Sequence, residues 1–123
     1  DLGSVNLEQR ATISGVGAAA LTQTVKMQLP PNATVLNVIV DVQTVFNSTA
    51  NTLTVGYTAG ATDIVSGVDV KTATGRITPT FTAAQLLAMN NITTNTSLFI
   101  TVTGTVSNPT TGIAYVSVRY IVQ

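Results

Sequence analysis

Between Leu21 and Leu29 the side chains alternate. Leu21, Val25, Met27 and Leu29 fall on one face of an extended chain, and Thr22, Thr24, Lys26 and Gln28 on the other; Gln23 is the exception. A helix turns about 100° per residue and would scatter these positions, whereas a strand sends successive side chains to opposite faces. The same period of two returns in Leu36, Val38, Val40 and Val42, in Leu53, Val55 and Tyr57, in Leu98, Ile100 and Val102, and in Ala114, Val116, Val118, Tyr120 and Val122. A chain patterned in this way must bury one face of several strands. Its commonest residues suit that need: 23 Thr and 17 Val are β-branched, stiff at χ1, and fit a pleated surface better than a helix.

Turn signals cut the pattern into strands. Pro30-Pro31 stops the first, because neither residue donates to a ladder. The next runs from about Thr34 to Val45 and ends in the polar turn Asn47 to Asn51. Strands follow over Thr52 to Thr58 and around Ile64 to Val70, where Gly67 suggests a bulge. Ile77 to Phe81 brackets Pro79 and reads as an edge strand or extended loop. Ser97 to Thr105 and Ile113 to Val122 are strands joined by the Ser107 to Gly112 turn, and a weaker strand lies near Ala11 to Val16. One helix interrupts them. Thr82-Ala83-Ala84-Gln85 fits a capping box, Leu86, Leu87 and Met89 give an apolar side, and Asn90-Asn91 ends it.

The expectation is an all-β, jelly-roll-like β-sandwich of about eight strands with one short helix plugging an open end. Its core should hold Leu21, Val25, Met27, Leu36, Val38, Val40, Val55, Leu98, Ile100, Val102, Val116, Val118 and Tyr120. At 123 residues the chain has room for one domain. Residues 11–123 are read as that sandwich and residues 1–10 as an N-terminal arm. The arm holds Asp1, Glu8 and Arg10, three of the ten charged residues, and its apolar residues Leu2, Val5 and Leu7 are too sparse for a strand with a buried face. It has no apolar core of a signal peptide, and no run in the chain approaches the length of a membrane helix.

The composition excludes much chemistry. The chain has no Cys, no His and no Trp. It therefore lacks thiolate and imidazole ligands for zinc and every Ser-His-Asp or Cys-His nucleophile system. Five basic and five acidic residues cancel, and only 8% of the residues are charged, which leaves no electrostatic footprint for nucleic acid or an anionic membrane. The acids Asp41, Asp63 and Asp69 have no spacing that makes a glycosidase pair. Asp63 and Asp69 also lack the alternating D-x-D pattern of a calcium loop. Gly15-Val16-Gly17 lacks the third glycine and the Lys of a phosphate cradle. The Asn-x-Ser/Thr triplets at Asn32, Asn47, Asn91 and Asn95 are read as noise of a Thr-rich composition, of which chance alone supplies about two. No enzyme, cofactor, metal or small-molecule substrate is expected.

What remains is surface. Ile39, Val45, Phe99, Ile113, Tyr115 and Ile121 lie in the phase opposite to the core. That much exposed apolar area invites a partner, and a second copy of the chain is expected there, as a homotrimer. Leu2, Val5, Leu7, Glu8 and Arg10 form a docking segment that a binding partner would order.

The run Leu29-Pro30-Pro31-Asn32-Ala33-Thr34-Val35-Leu36, the strand Val38-Ile39-Val40-Asp41-Val42, the segments Leu53-Thr54-Val55-Gly56 and Leu98 to Gly104, and the close Gly112 to Tyr120 together resemble the capsid decoration, or cement, proteins of tailed bacteriophages. The resemblance spans roughly residues 20–122. It implies a β-sandwich, often trimeric, bound to the major capsid protein on the outside of an icosahedral head. It also implies synthesis in the host bacterial cytoplasm, residence in the virion, and no catalytic residues. A clamp across capsomer joints would stabilise the shell by mass action, since it binds only the assembled state. The alternative is a receptor- or glycan-binding head of a phage tail fibre or a bacterial adhesin.

Overall fold

A computed structural model describes residues 5–122. Its elements are β1 (Val5–Ser14), β2 (Thr22–Leu29), β3 (Ala33–Thr44), β4 (Asn51–Gly56), β5 (Val65–Asp69), β6 (Gly75–Ile77), α1 (Ala83–Met89), β7 (Thr96–Gly104) and β8 (Ile113–Val122). Two four-stranded antiparallel sheets, ordered β1-β8-β3-β6 and β2-β7-β4-β5, pack face to face. Each consecutive pair from β1 to β4 crosses from one sheet to the other, and β8 returns to lie between β1 and β3. That order is a jelly roll.

The core lies between the sheets and follows the alternation. Met27, Val38, Val40, Val55, Leu98, Ile100, Val102, Val116, Val118 and Tyr120 are buried, joined by Leu29, Leu53, Val42 and Ala114 from the same faces. Phe46, Ile64, Val70 and Met89 close it from loops and helix.

Two of the expected core residues, Leu36 and Leu21, lie outside the core, and a third, Val25, is partly buried against it. The pairing of β3 with β8 shifts register between Val35 and Asn37. Leu36 is the extra residue of this bulge and is 45% exposed. Before it the odd positions Ala33 and Val35 face inward, and after it the even positions Val38, Val40 and Val42 do, because one inserted residue exchanges the two faces. Leu21 precedes the first residue of β2 and is 38% exposed. Val25 is half-buried on β2, which is an edge strand of its sheet.

The helix keeps its expected cap but turns differently. Thr82 accepts from the Gln85 amide at 3.2 Å, and the Thr82 amide donates to Gln85 Oε1 at 2.9 Å. Gln85 and Met89, four residues apart, face inward, while Leu86 and Leu87 are 53% and 75% exposed. The capping box fixes the side chain at position 85, and helical periodicity then selects 89.

β1 opens at Val5 and pairs residue for residue with β8, from Val5 opposite Val122 to Ser14 opposite Ile113. Residues 5–10 are thus the first half of an edge strand. Ladder hydrogen bonds are backbone bonds and do not require apolar alternation. Residues 1–4, with Asp1 and Leu2, lie outside the described residues. At Gly67 the β4–β5 pairing shifts register, the bulge its sequence suggests, with φ at 155°.

Candidate functional site

In β8 the even residues Ala114, Val116, Val118 and Tyr120 are buried, so Ile113, Tyr115, Ser117, Arg119 and Ile121 must point away from the core. Register places neighbours beside them in three rows across the outer face of the first sheet. Glu8, Arg119 and Asn37 form one row, Arg10, Ser117 and Ile39 the next, and Thr12, Tyr115, Asp41 and Arg76 the third. All the residues of these rows but Asn37 and Thr12 line a shallow depression of about 180 Å³.

The electrostatics of this face are distinctive for so uncharged a chain. Arg10, Arg76 and Arg119 are all of its arginines, and with Glu8 and Asp41 they make five of its ten charged residues. Opposite charges face each other in register, Glu8 with Arg119 and Asp41 with Arg76, which is favourable across strands. The contacts are nonetheless loose. Arg119 reaches Glu8 at 4.0 Å, with both side chains half exposed, a geometry that contributes little to stability. No carboxylate of the described residues lies within 4.0 Å of Arg10 or Arg76. Arg10 instead lies 3.8 Å from the centroid of the Tyr115 ring, a cation–π contact from the diagonal position.

The structure gathers residues that the sequence assigned to two separate surfaces. Glu8 and Arg10 of the docking segment share this face with Ile39, Ile113, Tyr115 and Ile121 of the expected subunit interface. The other interface candidates lie apart. Phe99 is on the outer face of the second sheet, beneath Lys26 at 5.6 Å. Val45 packs against the core. Leu7 takes the inward phase of β1 near its open end and is 40% exposed. Arg76 entered no expectation, because its place beside Asp41 comes from pairing between segments distant in sequence.

The second sheet presents a different outer face. Thr22, Thr24, Thr52, Thr54, Thr101 and Thr103 stand in adjacent cross-strand pairs. The β4–β5 loop folds over them, and the Gly60 amide donates to Thr101 Oγ1 at 3.0 Å.

The acids do not converge. Asp63 accepts from the Tyr57 amide at 2.9 Å at one end of β5, and Asp69 stands at the other end. Asp41 lies on the far sheet. Asp69 is engaged locally, accepting from the Lys71 and Thr72 amides and from the Thr72 hydroxyl, and that hydroxyl first, then the Lys71 amide, hold its carboxyl below the usual range. Burial, and secondarily the charge of Asp63, raise the Tyr57 phenol above its ordinary value, so it stays protonated and donates to the Ala88 carbonyl. Among the described residues no group of three His, Cys, Asp or Glu is placed to hold a metal ion, and no helix is long and apolar enough to cross a membrane.

These features define an eight-stranded antiparallel jelly roll whose concentrated polar chemistry lies on one open sheet face. The same fold occurs in one chain of the cyanophage Pam1 capsid asymmetric unit, with a TM-score of 0.68 and 21% identity, covering 100% of this chain and 89% of that one. It also occurs in one chain of the capsid of Ralstonia phage GP4, with a TM-score of 0.63 and 17% identity, covering 99% of this chain and 86% of that one. What these likenesses establish is the fold. No protein-family model matches the sequence, and no curated protein is similar to it.

Proposed function

We propose that this chain is a structural virion protein of a tailed phage, a decoration or cement protein that binds the outer surface of the head and stabilises it. The observation that carries the reading is the full-length likeness to chains of two phage capsid structures. The coverage is high in both directions, so the counterparts are themselves of about this size. The composition supports the same role: β-branched strands, short turns, and no thiol or imidazole to react. Docking on the major capsid protein is assigned to the N-terminal segment, with Leu2, Val5, Leu7, Glu8 and Arg10. Self-association as a homotrimer belongs to the same reading, with Ile113 and Ile121 at the two ends of the outer row of β8.

The test is reconstitution. The purified chain is added to heads from a phage mutant that lacks it, and the particles are imaged by electron microscopy and heated. Regular added density and a raised temperature of DNA release support the reading. Density on tails, or binding to host cells in place of heads, would shift the role to the fibre-head alternative. Sedimentation equilibrium of the free chain tests the trimer separately, and a monomer would remove it while leaving docking intact.

A further inference from the structure

From the arrangement on the outer face of the first sheet we infer that this face is the surface on which the chain docks, and that its partner is a carboxylate-bearing protein surface gripped by Arg10, Arg76 and Arg119. The inference deepens the cement reading and rests on it.

Charge is distributed unevenly over the two sheets. In a chain with so few charged residues, half of them stand on one sheet face, and every arginine is among them. The outer face of the second sheet carries rows of threonines, with Lys26 opposite Phe99 and Asp69 opposite Thr52. Arginine presents a planar fork of donors that matches a carboxylate bidentately. Two of these forks are without a carboxylate among the described residues, and the third meets Glu8 only at 4.0 Å. Arg10 lies over the Tyr115 ring at 3.8 Å, a contact that takes up none of the N–H donors needed to bind a carboxylate. The side chain is thereby held before binding, which lowers the ordering cost. Half-buried Ile39 and Tyr115 form an apolar floor between the arginines. Arg and Tyr around such a floor is the makeup of an interface centre.

The interleaved carboxylates choose the class of partner. Glu8 and Asp41 stand in the same rows as Arg119 and Arg76. A nucleic-acid backbone repeats one sign of charge and would meet repulsion at both. A protein surface can oppose carboxylates to the arginines and donors to Glu8 and Asp41, which sets register as well as attraction.

The experiment measures cosedimentation of the full-length chain with heads from the mutant lacking it. R76E/R119E is compared with K26E/K71E, which makes the same charge change away from this face. Thermal melts first establish that each variant is folded, and R76Q/R119Q replaces the reversal if that one does not fold. The expected result is binding weakened about 100-fold or more by the arginine pair and by less than about threefold by the lysine pair, with poly-L-glutamate displacing the wild-type chain. Equal binding by wild type and R76E/R119E would overturn this inference and leave the cement reading standing. Failure of the wild-type chain to bind heads would overturn both. Displacement by duplex DNA but not by poly-L-glutamate would place a nucleic acid on the face and overturn the inference too.

Discussion

The ring of Phe46 occupies the space that a side chain at Gly112 would need. A β-carbon there would come within 2.5 Å of the ring's Cγ and Cδ2. Phe46 is fully buried and comes from the β3–β4 connection, where its amide donates to Val70 O at 3.1 Å. The Gly15 amide donates to the Gly112 carbonyl at 2.8 Å, so the β1–β2 and β7–β8 loops close over the ring together. One end of the core is sealed by three segments far apart in sequence.

Gly112→Ala is therefore expected to cost more than an ordinary glycine replacement. Gly112 has φ of 137°, so alanine adds backbone strain of about 1–2 kcal/mol to an overpacking cost of about 1–3 kcal/mol. Gly60 has φ of 78°, and a β-carbon there would meet no atom within 4 Å. Gly60→Ala should therefore lose only about 1 kcal/mol. Urea denaturation of both variants checks this, and equal losses would mean that the ring moves aside freely.

The bulge in β3 makes a second contrast. Leu36→Thr should cost no more than about 1 kcal/mol, because that side chain is 45% exposed. Leu98→Ala, at a fully buried position, should cost about 2–5 kcal/mol. A large loss at Leu36 in denaturant unfolding would contradict the placement of the bulge.

Asn47 ties two loops together while remaining exposed. Its Oδ1 accepts from the Thr110 and Thr111 amides at 2.8 and 3.2 Å, and its Nδ2 donates to Thr110 Oγ1 at 2.8 Å. Asn47→Ala should speed hydrogen exchange at the Thr110 and Thr111 amides selectively, with a global loss of about 1–2 kcal/mol. Unchanged exchange at those two amides would show that the clasp is not made in solution.

Asp69 gives a pH dependence of defined sign. Its carboxyl titrates below the usual range, so the folded state binds this proton less readily than the unfolded chain. The stabilisation is fully present above the ordinary carboxylate value of about 3.9 and is lost as pH falls through the lowered folded value. Thr72→Ala removes the leading cause and should move the Asp69 titration upward in carbon-detected NMR, with little change in melting temperature at pH 7 because the group is at the surface. A titration unmoved by the substitution would assign the shift to the backbone amides alone.

What the sequence determined on its own is local. Alternation in side-chain direction, the proline and glycine stops and the Thr82–Gln85 cap act over a few residues, and they specify most strands, the helix and ten core residues. Tertiary structure decided what depends on pairing between distant segments. The bulge at Leu36 arises against β8 and reverses which residues of β3 are buried. The strand over residues 5–10 exists because β8 supplies a ladder for it, with little help from its own apolar residues. Arg10, Arg76 and Arg119 are scattered through the sequence and meet only because β1, β8, β3 and β6 lie side by side. Backbone ladders and sheet order carry no period that one segment can display, so the grouping of charge on a single face appears only when the chain is folded.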